Sequence, residues 1–342
     1  MSNSSKSGVG TGRKVLTGIV VVLLVLLIAI IGFMAFQLIR AQKSESVSSV
    51  KFEAYYVGAT DATSDVTETA AETDAAATTT AAPVPVVSGD GLYSDHAYMI
   101  RVSDGALVYD KAGEEQIYPA SITKIMTAIT AIEAADINMD CTVTQEEIDE
   151  VYVQEASMAG FEAGETVKLK DLLYGALLPS GGEACMAIAD NVAGSTEAFV
   201  DMMNQKAAEI GMTNTHFSNS TGLQAEDHYT TCKDFAILTH YALKNETFRQ
   251  IFTTSTYTTS ASAVHPTGVT LYSTMFQHLD SPNLDNGAVI EGGKTGFTDE
   301  ALYTLSSVCS FNGEEYILVT AHGAGVEYAH IADAKYMYSQ LS

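Results

Sequence analysis

Apolar and polar positions divide the chain into regions of different character. From Val15 to Leu38 the chain carries no charge and almost no polar residue. That run is long enough to cross a bilayer as a helix and predicts an anchor over residues 15–39. Lys6, Arg13, Lys14 and the free amino terminus precede it, which predicts a cytoplasmic tail over 1–14 and an exported remainder. Its length, and the lack of a small-residue cleavage site after it, favour an anchor over a cleaved leader. Residues 40–90 are rich in Thr, Ala and acidic side chains with few large apolar ones, a composition that cannot bury enough surface to fold. They read as a tether with a root-mean-square span of about 40 Å.

Residues 91–342 hold the periodic segments. Apolar-rich runs on either side of Asp104-Gly105 predict a hairpin with a two-residue turn. Ile122, Ile125, Met126, Ile129 and Ile132 recur at helical spacing and predict a helix over 121–135. Further helices are predicted over 169–178, 183–192, 196–210 (closed by Gly211) and 234–243. Two strands meet at Asn312-Gly313, and the last apolar-periodic segment, from Tyr328 on, predicts a closing helix. Strands, then helices, then strands and a helix suit an α/β protein of α+β type, an antiparallel sheet flanked by helices.

Composition narrows the function. A net charge of −25 argues against nucleic acid and against docking on an anionic membrane surface. Cys141, Cys185, Cys232 and Cys309 all follow the anchor, where disulfides are chemically permitted, but they form no CxxC or Cys/His metal spacing. The pattern commits to no bridge, and Cys185 and Cys309 lie in apolar runs that suit core positions.

Three short strings carry candidate chemistry: "SITK" (Ser121 to Lys124), "SGG" (Ser180 to Gly182) and "KTG" (Lys294 to Gly296). Positions i and i+3 share a helix face, so Lys124 can reach the Ser121 hydroxyl and, if neutral, act as its base. A helix start also offers free N–H groups to an oxyanion. The bland alternative makes Ser121 a helix cap. S-x-x-K arises by chance roughly once in a chain of this size, and a second copy stands at Ser48 to Lys51 in the tether. Ser180 and Glu183 fit a capping box, so Ser180 could simply start the next helix. Lys294 follows a strand-like run ending in glycines, where its charge and the Thr295 hydroxyl could meet a carboxylate; the alternative is a surface lysine in a turn. A chance "KSG" occurs at Lys6 to Gly8.

The order of the three motifs in one exported region resembles the serine penicillin-recognising enzymes. The nearest resemblance is to the D-alanyl-D-alanine carboxypeptidases, the low-molecular-weight penicillin-binding proteins of peptidase family S11. It covers about Tyr98 to Gln340 and extends to "YPASITKIMTA", "DLLYGALLPSG", "NSTGL", "HYTT" and "EGGKTGFTDEA". It implies a serine β-lactamase/D,D-peptidase-like fold and an extracytoplasmic enzyme that trims the terminal D-alanine of peptidoglycan stem peptides. By this resemblance Ser121 is the nucleophile, Lys124 its base and Ser180 a proton relay. Lys294 and Thr295 would hold the substrate carboxylate, with Gly296 allowing close approach, and the N–H groups of Ser121 and Phe297 would form the oxyanion hole. No cofactor or metal is implied, and β-lactams become inhibitors.

Two departures stand out. Many relatives carry Asn where this chain has Gly182, which removes two donors and an acceptor. By the same resemblance the run after KTG is expected to hold a closing hairpin and helix, whereas several relatives add a β-rich domain and a tail helix. Competing readings are a β-lactamase, which lacks support in any E-x-x-L-N string between Ser180 and Lys294, and a zinc peptidase using His322, His330 and Asp333. A third is a wall-associated penicillin-binding protein weakened by Gly182.

Overall fold

The computed structural model describes residues 83–342. The proposed tail, the anchor over 15–39 and most of the tether lie outside the described residues. In chain order the strands and helices are β1 (Ser94–Arg101), β2 (Leu107–Lys111), a 3-10 turn (Ala120–Thr123), α1 (Lys124–Ala134), β3 (Asp140–Thr142) and α2 (Gln145–Val153). There follow β4 (Thr166–Lys168), α3 (Leu169–Leu177), α4 (Gly182–Ala193), α5 (Thr196–Ile210), α6 (Cys232–Ala242) and α7 (Glu246–Phe252). The chain ends with β5 (Thr256–Thr258), β6 (Thr270–Tyr272), α8 (Thr274–Gln277), β7 (Val289–Thr298), β8 (Leu302–Phe311), β9 (Glu314–Gly323) and α9 (Ala329–Tyr338). Among these described residues no helix is long and apolar enough to cross a membrane.

The main sheet has the order β2-β1-β9-β8-β7, antiparallel throughout. β8 and β9 meet at Asn312-Gly313, whose φ angles of 51° and 81° give the two-residue turn read from the sequence. The Asp104-Gly105 turn is different. The Arg101 N–H donates to Ala106 O and the Gly105 N–H to Arg101 O, so the loop is longer than two residues, and a register shift follows at Met99/Ile100. Asp104 is spent on a fork to the Arg101 guanidinium, at 2.9 and 2.6 Å.

Both faces of the sheet are covered. On one side α9 packs Ile331, Met337 and Tyr338 against Met99, Leu305 and Leu318. On the other, Ile317, Val319 and Val308 meet the helical layer. β9 is therefore buried nearly end to end instead of alternating. At the centre of the helical layer α1 is enclosed: every residue from Lys124 to Ala131 is buried, lysine included. A helix apolar all round belongs in a core, and the lysine in it calls for an explanation.

The caps explain where helices start. Ser195 caps α5, which ends at left-handed Gly211. α2 has a full capping box, Thr144 with Glu147, and the sequence reading passed it over. All four cysteines are buried free thiols.

Candidate active site

Ser121 sits in the 3-10 turn that leads into α1, and its side chain caps nothing. The turn starts at Ala120, whose φ of 49° is uncommon for a side chain with a Cβ. One turn later Lys124 sends its Nζ back to Ser121 Oγ at 2.8 Å and to Thr221 O at 2.5 Å. Lys124 is 3% exposed. Burial pushes its pKa below the ordinary 10.5, and the fields of Cys185 and Glu183 only partly oppose that. Burial also raises the pKa of Glu183, while N–H bonds to its carboxylate oppose that rise.

The segments behind this pair are braced. Asn219 Oδ1 accepts from the N–H groups of Thr221 and Gly222 and from the Thr221 hydroxyl, which shapes the loop that offers Thr221 O to the lysine. His228 Nδ1 accepts from the Ser218 N–H at 3.0 Å. The ring proton is thereby assigned to Nε2, which faces Thr123 Oγ1 at 2.8 Å. Burial lowers the His228 pKa to about 4 and keeps the ring neutral. "NSTGL" and "HYTT" were legible as family strings, but these bracing parts need the fold to be seen.

Ser180 lies between α3 and α4 with φ 70°. The capping-box reading of Ser180 does not hold. Gly181 is the N-cap of α4, and no side chain caps it. Glu183 Oε1 instead accepts N–H bonds from Ala159, Gly160 and Phe161, at 2.6, 2.9 and 3.4 Å. That frees Ser180 Oγ, which accepts from Lys294 Nζ at 3.0 Å.

Lys294, Thr295 and Gly296 lie inside β7, which runs on to Thr298; they do not end the strand. Lys294 is 1% exposed, so the surface-turn alternative fails. Its ammonium also donates to Thr295 O at 2.6 Å. Burial first, and then the Lys124 charge, push its pKa well below 10.5. A Cβ on Gly296 would stand 2.8 Å from Ser121 N, so the glycine lets β7 pass against the Ser121 turn.

The fold therefore gathers residues from all three motifs, with Phe297 half-exposed at the rim. Ser121, Lys124 and Phe297 open on a cleft of about 740 Å³. Ser180, Lys294 and Thr295 are more than nine-tenths buried. The cleft also includes Glu150, Gln154 and Ser157, from α2 and the segment after it. That wall was not anticipated, although Thr144 and Glu147 spell a capping box and Ile148 and Val151 repeat at helical spacing. The zinc candidates do not converge. His322 pairs with exposed Asp95, His330 stacks on Tyr303, and Asp333 accepts from Tyr93 N, Ser94 N and Ser94 Oγ.

The family model for D-alanyl-D-alanine carboxypeptidases, peptidase S11, matches residues 78–324. D-alanyl-D-alanine carboxypeptidase DacF of Bacillus subtilis is 36% identical over 218 residues, covering 62% of this chain and 52% of that protein. The D-alanyl-D-alanine carboxypeptidase of Streptomyces sp. strain K15 is 31% identical over 256 residues, 71% of this chain and 85% of that protein. The chain thus spans about half the length of the Bacillus relative and most of the Streptomyces one. The crystal structure of the Streptomyces K15 DD-transpeptidase matches with a TM-score of 0.66 and 28% identity, over 74% of this chain and 98% of that one. The α+β architecture, an antiparallel sheet with helices on it, is the one shared with these structures.

Proposed function

The chain belongs to the D-alanyl-D-alanine carboxypeptidase family, peptidase S11, and on that premise we propose that it cleaves the terminal D-alanine from peptidoglycan stem peptides through an acyl-enzyme on Ser121. One observation carries the reading. A buried lysine whose pKa is lowered by that burial lies 2.8 Å from the serine hydroxyl. Burial favours the neutral form of such a lysine, the form that can take a proton, and a serine nucleophile needs a base.

The steps follow from the positions. Ser121 Oγ bonds to the carbonyl carbon between the two D-alanines while Lys124 takes its proton. The oxyanion is received by the N–H groups of Ser121 and Phe297. As the C–N bond breaks, a proton passes through Ser180 to the leaving amine. An ammonium has three donors. Lys294 uses two, on Ser180 Oγ and Thr295 O, which leaves one, with the Thr295 hydroxyl, for the substrate carboxylate. Binding of that anion favours the charged lysine. Water then bonds to the acyl carbon and releases Ser121. A β-lactam follows the first half, its ring nitrogen taking the proton. The Streptomyces neighbour is described as a transpeptidase, so an amine in place of water is the natural second acceptor.

Residues 15–39 are proposed as a single membrane anchor, with the enzyme outside the cell; their uncharged apolar run supports this.

The test uses the full chain beside Ser121→Ala. D-Alanine release from a pentapeptide ending in D-Ala-D-Ala is measured with and without an amine acceptor, together with covalent labelling by a fluorescent penicillin. Release and labelling that both vanish in the variant support the proposal. A wild-type chain that does neither ends it, and labelling without release favours a binding role.

A further inference from the structure

Gly182 is the first residue of α4, at the position where the family resemblance leads one to expect an amide side chain, and its surroundings suggest what stands in for it. A Cβ at 182 would lie 3.1 Å from Val151 Cγ2 and 3.4 Å from Ala156 Cβ and Ser157 O. A Cβ at 181 would lie 2.7 Å from Ala159 Cβ. Two glycines in a row thus let the segment after α2 come flush against the start of α4. It is fastened there by the Gly182 N–H to Ser157 O, at 2.7 Å, and by the three N–H groups on Glu183. It is a fixed wall, and it borders the same cleft as Ser121 and Lys124.

Ser157 is the polar residue this wall adds next to Gly182. Its carbonyl is used in the clamp. Its hydroxyl has no hydrogen-bond partner among the described residues, and the side chain is exposed in the cleft. The neighbouring Gln154 amide is already engaged with Glu150. A hydroxyl keeps one donor and an acceptor of what an amide would offer.

We propose that the Ser157 hydroxyl is a substrate-binding group, which hydrogen-bonds the main-chain amide on the acyl side of the scissile bond and supplies from the facing segment the contact that Gly182 lacks. This rests on the carboxypeptidase reading of the site. It also means that Gly182→Asn is not a simple restoration, because the new Cβ would stand 3.1 Å from Val151 Cγ2, which must give way by a few tenths of an ångström.

The experiment compares wild type, Ser157→Ala and Ser157→Thr as full chains. Two acylating probes are used: benzylpenicillin, which carries an acylamino group on the acyl side, and 6-aminopenicillanic acid, which lacks that amide. Ser157→Ala is expected to lower the acylation rate with benzylpenicillin, and kcat/KM for the pentapeptide, by about 3- to 10-fold. The rate with 6-aminopenicillanic acid and the melting temperature should stay at the wild-type values. Ser157→Thr, which keeps the hydroxyl, should recover most of the loss. Wild-type rates for Ser157→Ala on all substrates overturn the proposal and leave the carboxypeptidase reading standing. An equal loss on both penicillins also overturns it, because it shows a displaced wall and not a lost contact. Failure of the wild-type chain to react with either penicillin sinks the carboxypeptidase reading itself.

Discussion

Gly296→Ala puts the packing of β7 against the nucleophile to a quantitative test. The added methyl would lie 2.4 Å from Thr304 Oγ1, 2.8 Å from Ser121 N and 3.1 Å from Ala120 Cβ. Ordinary contact starts near 3.4 Å, so the strand and the Ser121 turn must part by roughly 0.6 Å. Thr304 cannot simply rotate away, since its hydroxyl donates to Pro119 O at 3.0 Å, two residues before the nucleophile. Overpacking of this kind costs about 1–3 kcal/mol, a loss of roughly 2–10 °C in melting temperature for a domain of this size. A domain of ordinary stability, ~5–15 kcal/mol, stays folded at 25 °C after such a loss. Any drop in rate then belongs to the site. Displacing the Ser121 N–H and Oγ by over half an ångström should cost about 10²-fold in acylation. Time courses of fluorescent-penicillin labelling at 25 °C, beside a melt followed by circular dichroism, measure both effects. Acylation within threefold of wild type at an unchanged melting temperature would refute the close approach.

Three further predictions concern ionisable groups. Burial pushes the Glu147 carboxyl up to about 7 from 4.5; the unfolded chain ionises first, so this group's stability contribution is full below about 4.5 and is lost as pH rises through 7. Glu147→Gln should therefore gain on wild type by up to ~3 kcal/mol in urea unfolding between pH 5 and 8, and a pH-independent difference would contradict the assignment. Glu183→Ala strands three N–H groups of the cleft wall and should cost at least ~3 kcal/mol; a loss under ~1 kcal/mol in the same assay would show that the clamp is unimportant. The penicillin acylation rate should rise with pH along one ionisation whose midpoint lies below the ordinary lysine value of 10.5, and Lys124→Met should lower it by about 10²–10⁴-fold. A midpoint at or above that value would remove Lys124 as the base.

What the sequence revealed and what it hid divide along a physical line. Features set by neighbours in the chain were readable: the Asn312-Gly313 turn and the Gly211 stop of α5. Features set by distant partners were not. Ser180 and Glu183 spell a capping box, yet Glu183 is claimed by Ala159 to Phe161 and Ser180 by Lys294. KTG read as a strand end because glycines precede it, whereas β7 continues by pairing with β8 through Leu302. The wall bearing Ser157 was missed because its contacts to Gly182 join segments that the sequence keeps apart.

The central claim is that Ser121, activated by Lys124, carries the acyl group. It is tested most directly by digesting the penicillin-treated full chain and locating the adduct by mass spectrometry. The account predicts one penicilloyl adduct, on the peptide containing Ser121, absent from Ser121→Ala and strongly reduced in Lys124→Met. An adduct on Ser180 or Ser157, or one that persists in Ser121→Ala, would contradict it.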